Sequence, residues 1–140
     1  MAPQPRSAML ATYHSVATHG GVAAADPHRL IVMLMDGALE RIAQARGCIQ
    51  RGTVSEKSRL LHRAVAIVDE LRNSLDPAQG GQIAHNLDRL YEYMCAKLMA
   101  ASVQNSIPAL DEVTTLLHEV RAAWIALPAD ARALRPALAT

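Results

Sequence analysis

Apolar residues recur at alternating gaps of four and three through four stretches of the chain. After Asp26-Pro27 come Ile31, Met35, Ala38, Ile42, Ala45 and Ile49, the spacing of one buried helical face. Leu30, Leu34 and Leu39 widen that face beyond a two-helix seam. Asp26 supplies an N-cap acceptor, and Pro27 fits the first helical position because its missing N–H would have been unpaired anyway. Gly52 ends the stretch. A second helix begins at Ser55, with Glu56 near the positive end of its dipole, and carries Leu61, Ala64, Val68, Leu71 and Leu75. Asp76-Pro77 closes it in this reading, since proline disfavours helical geometry in the residue before it. The third follows Gly80-Gly81 and runs Ile83, Leu87, Leu90, Met94, Leu98 and Ala101. The fourth begins near Pro108 and carries Leu110, Val113, Leu117, Val120, Trp124 and Leu127.

The predicted helices cover about 26–51, 55–75, 80–103 and 108–127, each roughly 27 to 37 Å long at 1.5 Å per residue. Short links make neighbours antiparallel, so the expected fold is all-α, an antiparallel four-helix bundle over residues 25–127. Gly37 inside the first helix costs about 1 kcal/mol relative to Ala; a close neighbouring backbone or a local bend accounts for it. Residues 1–24 stand apart as a flexible segment. Met9, Leu10, Tyr13 and Val16 give two short turns one apolar side, and Gly20-Gly21 follows as a joint. A helix that short needs a surface to lie on, which makes it a displaceable cap. Residues 128–140, rich in Ala, Arg and Pro, form a tail that frays.

Composition narrows the class. Of 140 residues, 51% are hydrophobic and 19% charged, too apolar for a disordered chain and about right for one core. Abundant Ala, Leu and Met favour helix over sheet, and Phe is absent. Lys and Arg number 14 against 13 Asp and Glu, so no basic excess points to nucleic acid. The longest aliphatic run, Leu30 to Met35, is far short of the roughly 20 residues that span a membrane. Arg6 precedes no apolar signal region, and two cysteines, Cys48 and Cys95, make no disulfide framework. The expected compartment is the cytoplasm.

Catalytic and cofactor chemistry finds no foothold. There is no Glu-x-x-His pair for a di-metal bundle site, no clustered Cys and His for zinc, no P-loop and no GxGxxG. Arg41, Arg46 and Arg51 recur every five residues, which scatters them around a helix. The reading is a protein that is not an enzyme and holds no cofactor or metal. Tyr91 and Tyr93 sit two apart on one helix and so face different sides. Both cannot face the same core, so one belongs at the surface or in a groove; the alternative is a core tyrosine with a partly wet hydroxyl.

Three blocks resemble the flagellin-specific export chaperones, the FliS family of flagellar type III secretion. They are residues 25–38 (ADPHRLIVMLMDGA); Ser74-Leu75-Asp76 with Gly80-Gly81-Gln82-Ile83-Ala84-His85-Asn86-Leu87 and Leu90-Tyr91-Glu92-Tyr93-Met94; and Glu112-Val113, Leu116-Leu117 and Arg121-Ala122-Ala123-Trp124. Tyr13 stands at the family's distance before the proline, and the similarity spans about residues 10–125. Met35 replaces a usual aromatic, Gln82 a Glu and Glu92 an Asp, so one charge is missing from the start of the third helix.

The resemblance implies a cytoplasmic four-helix chaperone that binds the carboxy-terminal region of flagellin, prevents premature polymerisation and delivers it to the export gate's cytoplasmic domain. A regulatory or co-chaperone protein is a further partner class, and neither nucleic acid nor membrane insertion is implied. Leu10 and Tyr13 match the amino-terminal segment that covers the bundle and gives way to the client, which keeps the free protein mainly monomeric. Leu30, Leu34, Asp36, Asn86, Tyr91 and Tyr93 are the partner-binding residues carried over with the matching blocks. Asp36 holds the amino-terminal segment or faces water; Asn86 meets the partner or bonds locally. The alternative is a structural bundle whose surplus apolar surface makes a homodimer without a flagellin client.

Overall fold

The computed structural model describes residues 26–127, which form four helices: α1 (Pro27–Arg51), α2 (Val54–Asn73), α3 (Pro77–Gln104) and α4 (Ile107–Ile125). No strand occurs among the described residues. Connections of two or three residues force each helix to run back along its predecessor. Each helix packs on its two neighbours, and α4 returns to α1 to close the ring.

The chain's punctuation explains the boundaries. The Asp26 carboxylate accepts from the amides of His28 (3.0 Å) and Arg29 (3.4 Å), with Pro27 at the first position. Gly52 ends α1 in the left-handed region at φ 76°, and the Thr53 amide reaches back to the Cys48 carbonyl at 2.9 Å. Asp76-Pro77 does not close α2, as the pattern suggested; it opens α3. Asp76 accepts from Ala78 and Gln79 just as Asp26 does at α1. Helix α2 stops three residues earlier, where Asn73 Nδ2 and Ser74 Oγ turn back onto the Asp69 and Glu70 carbonyls at 2.6 and 2.8 Å. The Ser74 amide also donates to the Glu70 carbonyl at 3.1 Å, so backbone and side chains together close the last turn.

The glycine pair lies inside α3 rather than before it. Gly81 takes φ 56° and ψ −132°, a conformation open in practice only to glycine. A Cβ on Gly80 would meet the Ala84 Cβ at 2.6 Å. One capped turn therefore precedes the break and the long helix follows it. Ile83, placed on the buried stripe by its spacing, is instead 72% exposed, because the stripe begins beyond the break at Ala84.

The core takes Leu34, Met35 and Ile42 from α1, Leu61, Ile67 and Leu71 from α2, Met94 and Leu98 from α3, and Leu110 and Leu117 from α4, all fully buried. Gly37 lies on the same buried face of α1. Two charged residues of α2, Lys57 and Glu70, are buried with these layers. Lys57 occupies the α2 stripe a turn before Leu61 and is 4% exposed. Its ammonium donates to the Ser102 carbonyl at 2.6 Å and to Asn105 Oδ1 at 2.7 Å. Asn105 is the left-handed residue that ends α3, so α2 ties down the last turn of its neighbour. Replacing Lys57 by Met keeps the stem and removes the donor. Urea unfolding of Lys57→Met should show a loss of about 1–2 kcal/mol; an unchanged midpoint would deny the contact its role.

Candidate functional site

The polar side chains that matter lie along the seams between helices. At the α1–α4 seam, contacts occur at three heights. At one end His28 and Trp124 stack with ring centroids 5.0 Å apart and 11° between planes. Trp124 Nε1 donates to the His28 carbonyl at 3.0 Å, and His28 Nε2 lies 2.8 Å from the Trp124 carbonyl. A carbonyl only accepts, so Nε2 carries the proton. Midway, Arg121 grips Asp36 with two nitrogens at 2.6 and 3.3 Å. At the far end Arg46 holds Asp111 in the same two-pronged way at 2.9 and 3.4 Å. These paired forks fix the orientation of the partners, while solvent screening at this exposure keeps their contribution to stability small.

The other seams repeat the device. Arg72 on α2 bridges Asp88 at 2.6 Å and Glu92 at 3.2 Å on α3. The guanidinium hydrogen bond holds the Asp88 carboxyl below its ordinary range. Between α3 and α4, the Tyr93 hydroxyl donates to Glu112, whose other oxygen lies 3.3 Å from Lys97 Nζ. The Lys97 ammonium also sits 5.8 Å from the Tyr93 ring centroid. The Tyr93 hydrogen bond is the main cause lowering the Glu112 pKa, and the same bond raises that of Tyr93. Cys95 is half-buried, and burial pushes its thiol up to about 11, away from thiolate chemistry.

The partner-binding candidates do not converge on one groove. Leu34 is fully buried in the core and Tyr91 is buried beside it, so a partner reaches either only if helices separate. Burial raises the Tyr91 phenol well above its usual value. Leu30 is half-buried on the first turn of α1. Asp36 is held by Arg121 across the seam. Asn86 is exposed and accepts from Gln82 Nε2 at 2.8 Å, a bond one turn long within α3. Tyr93 is 42% exposed. Leu10 and Tyr13 lie outside the described residues.

Sequence reasoning missed His28, Lys57 and Arg121 as structural residues. Lys57 carried a signal, since it stands in register on an apolar stripe. Arg121 and Asp36 lie 85 residues apart, and no local pattern links them. Among the described residues there is no cluster of three His, Cys, Asp or Glu side chains able to hold a metal ion. No described helix is long and apolar enough to cross a membrane.

Comparison with known proteins adds what the seams alone leave open. The chain matches the family described as Flagellar protein FliS over residues 9–131. It is 49% identical over 112 residues to the flagellar secretion chaperone FliSB of Pseudomonas aeruginosa, covering 80% of this chain and 89% of that protein. Identity to the flagellar secretion chaperone FliS of Salmonella typhimurium is 40% over 113 residues, covering 80% and 84%. For the Vibrio cholerae protein of the same description it is 36% over 121 residues, covering 86% and 89%.

Two outcomes follow from the geometry. Trp124 is the chain's one tryptophan, so its emission reports on the α1–α4 clasp. His28→Ala should shift that emission to the red and cost about 1–3 kcal/mol, through the lost stack and hydrogen bond; an unshifted spectrum would mean the clasp does not form in solution. For Glu112, a folded pKa below the unfolded one supplies stability that is present above the unfolded value and lost as pH falls through the folded value. NMR titration should place its midpoint below the glutamate norm of about 4.3, and Tyr93→Phe should raise it. An unmoved midpoint in that variant would remove Tyr93 as the cause.

Proposed function

The chain belongs to the FliS family of flagellar secretion chaperones, and on that premise we propose that it binds the carboxy-terminal region of flagellin in the cytoplasm. In this reading the protein keeps flagellin subunits from polymerising and hands them to the cytoplasmic domain of the flagellar export gate. The observation that carries it is the match over residues 9–131, which takes in the bundle and the preceding segment together.

The physical chemistry supports the reading. A polymerisation segment is apolar and amphipathic, and a helix of that kind is recognised by laying its apolar face in a groove between helices. The bundle has a closed core of its own, so it can serve as a template on which a client segment folds. Leu10 and Tyr13 are the proposed removable cap, and Leu30, Asp36, Asn86 and Tyr93 are the proposed contacts that the fold leaves at or near the surface. A cap limits self-association through an exposed apolar patch until the client displaces it.

The test is flagellin polymerisation followed by light scattering. An equimolar amount of the protein should suppress filament growth, and removal of residues 1–18 should alter that suppression while the far-ultraviolet spectrum keeps its helical form. Filaments that grow unhindered beside the intact protein would refute the chaperone reading. A truncation that unfolds would refute the cap alone.

A further inference from the structure

Ion pairs cross the α1–α4, α2–α3 and α3–α4 seams. None crosses α1–α2 among the described residues, although four arginines line it. Cys48 locates two of them. Arg51 Nη2 lies 3.6 Å from the Cys48 sulfur on α1, and Arg59 of α2 is close enough to sense the same thiol. Arg63 follows Arg59 by one helical turn, and Arg41 precedes Cys48 by two, so each shares its neighbour's face. Arg41 stands eleven residues before Gly52 and Arg63 ten after Thr53. Antiparallel helices therefore hold them at one height.

Arg59 is neutralised within α2 by Glu56. The other three meet no carboxylate among the described residues. Arg41 reaches the Gly37 carbonyl of its own helix at 3.4 Å, and Arg51 reaches only a sulfur, a weak acceptor. Arg51 and Arg63 are exposed and Arg41 is half-buried. A guanidinium carries five N–H donors in a planar fork that matches a carboxylate, so most of this capacity is unused. Elsewhere Arg46, Arg72 and Arg121 each grip an acid across a seam. The dipole at the end of α1 accounts for Arg51, but not for Arg41 in mid-helix or Arg63 in the third turn of α2. Like charges gathered without counter-charges repel, and the fold gains nothing from them.

The chain's own ends do not supply the missing acids. Residues 1–25 contain no Asp or Glu, and residues 128–140 contain only Asp130. Asp130 is three residues past Leu127, a reach of at most about 11 Å, starting from the end of the bundle opposite Gly52. Arg63 lies ten residues, about 15 Å, from that end of α2, before the width of the bundle is crossed. We infer that the α1–α2 seam docks an acidic helical segment of another protein, whose carboxylates engage Arg41, Arg51 and Arg63. Arg41 and Arg51 are about 15 Å apart along α1, so the partner's acids recur on one stripe over about three turns. Nucleic acid fits less well. Three free cations on a chain of net charge +1 fall short of the roughly 6–10 phosphate contacts of a nucleic-acid binder. None of the proposed client contacts, Leu30, Asp36, Asn86 and Tyr93, is among these arginines, so the surface stands apart from that reading.

The test uses a synthetic amphipathic helix with Glu at every fourth position, and a twin with Gln in place of Glu. Each is titrated into the isotope-labelled full chain and followed by NMR. The Glu peptide should shift the arginine Nε–H signals and the backbone amides of residues 41–63. Its affinity should fall at least about fivefold as NaCl rises from about 50 to about 300 mM. Arg51→Gln combined with Arg63→Gln should weaken binding by at least about fivefold. Both positions are exposed, so that variant should keep the parent's circular dichroism and thermal midpoint. A Gln twin that binds as well, a double variant that binds like the parent, or no shifts at millimolar Glu peptide would each overturn the proposal. So would a DNA duplex that binds more tightly than the Glu peptide.

Discussion

The first and last helices must find one another for this fold to exist. Short connections hold α1 to α2, α2 to α3 and α3 to α4, so those pairs meet at small entropic cost. The α1–α4 pair has no such help. Its contacts join residues 65 to 96 positions apart, and they alone turn a sheet-like row of helices into a ring. Leu110, Val113 and Leu117 lose all exposure in that ring. Burying side chains of this kind is worth about 1.5–3 kcal/mol each, which exceeds what the exposed ion pairs contribute. The energy of closure is thus apolar. Asp36, Arg46, Asp111 and Arg121 set its register.

The same division of labour runs round the bundle. Arg72 with Asp88 and Glu92, and Tyr93 and Lys97 with Glu112, align α3 with its two neighbours. Lys57 differs because its charge is buried and satisfied by a carbonyl and an amide oxygen, so it secures a helix end that no glycine closes. Most of the ion pairs cross the seams, and Met99 and Val103 near the end of α3 are exposed apolar side chains. A chaperone that must present apolar surface without unfolding needs this arrangement: a core complete in itself, with further apolar side chains outside it.

The four-helix architecture was legible because period, caps and short links all agree, and α1 follows its sequence signals from Asp26 to Gly52. The errors have physical causes. Asp76-Pro77 contains both a reason to stop a helix and a reason to start one; the Asp69 and Glu70 carbonyls were already satisfied by Asn73 and Ser74, which left it free to start α3. Ile83 kept the period but lost its place when Gly81 turned the chain. The split of the tyrosines, 91 inward and 93 outward, follows from their spacing, whereas which one turns inward depends on tertiary packing. Leu34 came with a matching block as a proposed contact, and packing places it fully inside the core, a burial that the widened face of α1 did not single out. The pairing of Asp36 with Arg121 could not be read, since side-chain partners across a bundle depend on the register of closure.

A scaffold that is already folded and a client that folds upon it leave a thermodynamic signature, because apolar burial on binding lowers the heat capacity. The decisive measurement is calorimetry at several temperatures, with flagellin intact and with flagellin lacking its carboxy-terminal segment. The account predicts binding to intact flagellin alone, with a large negative heat-capacity change. Equal binding of both forms, or binding of neither, would contradict it.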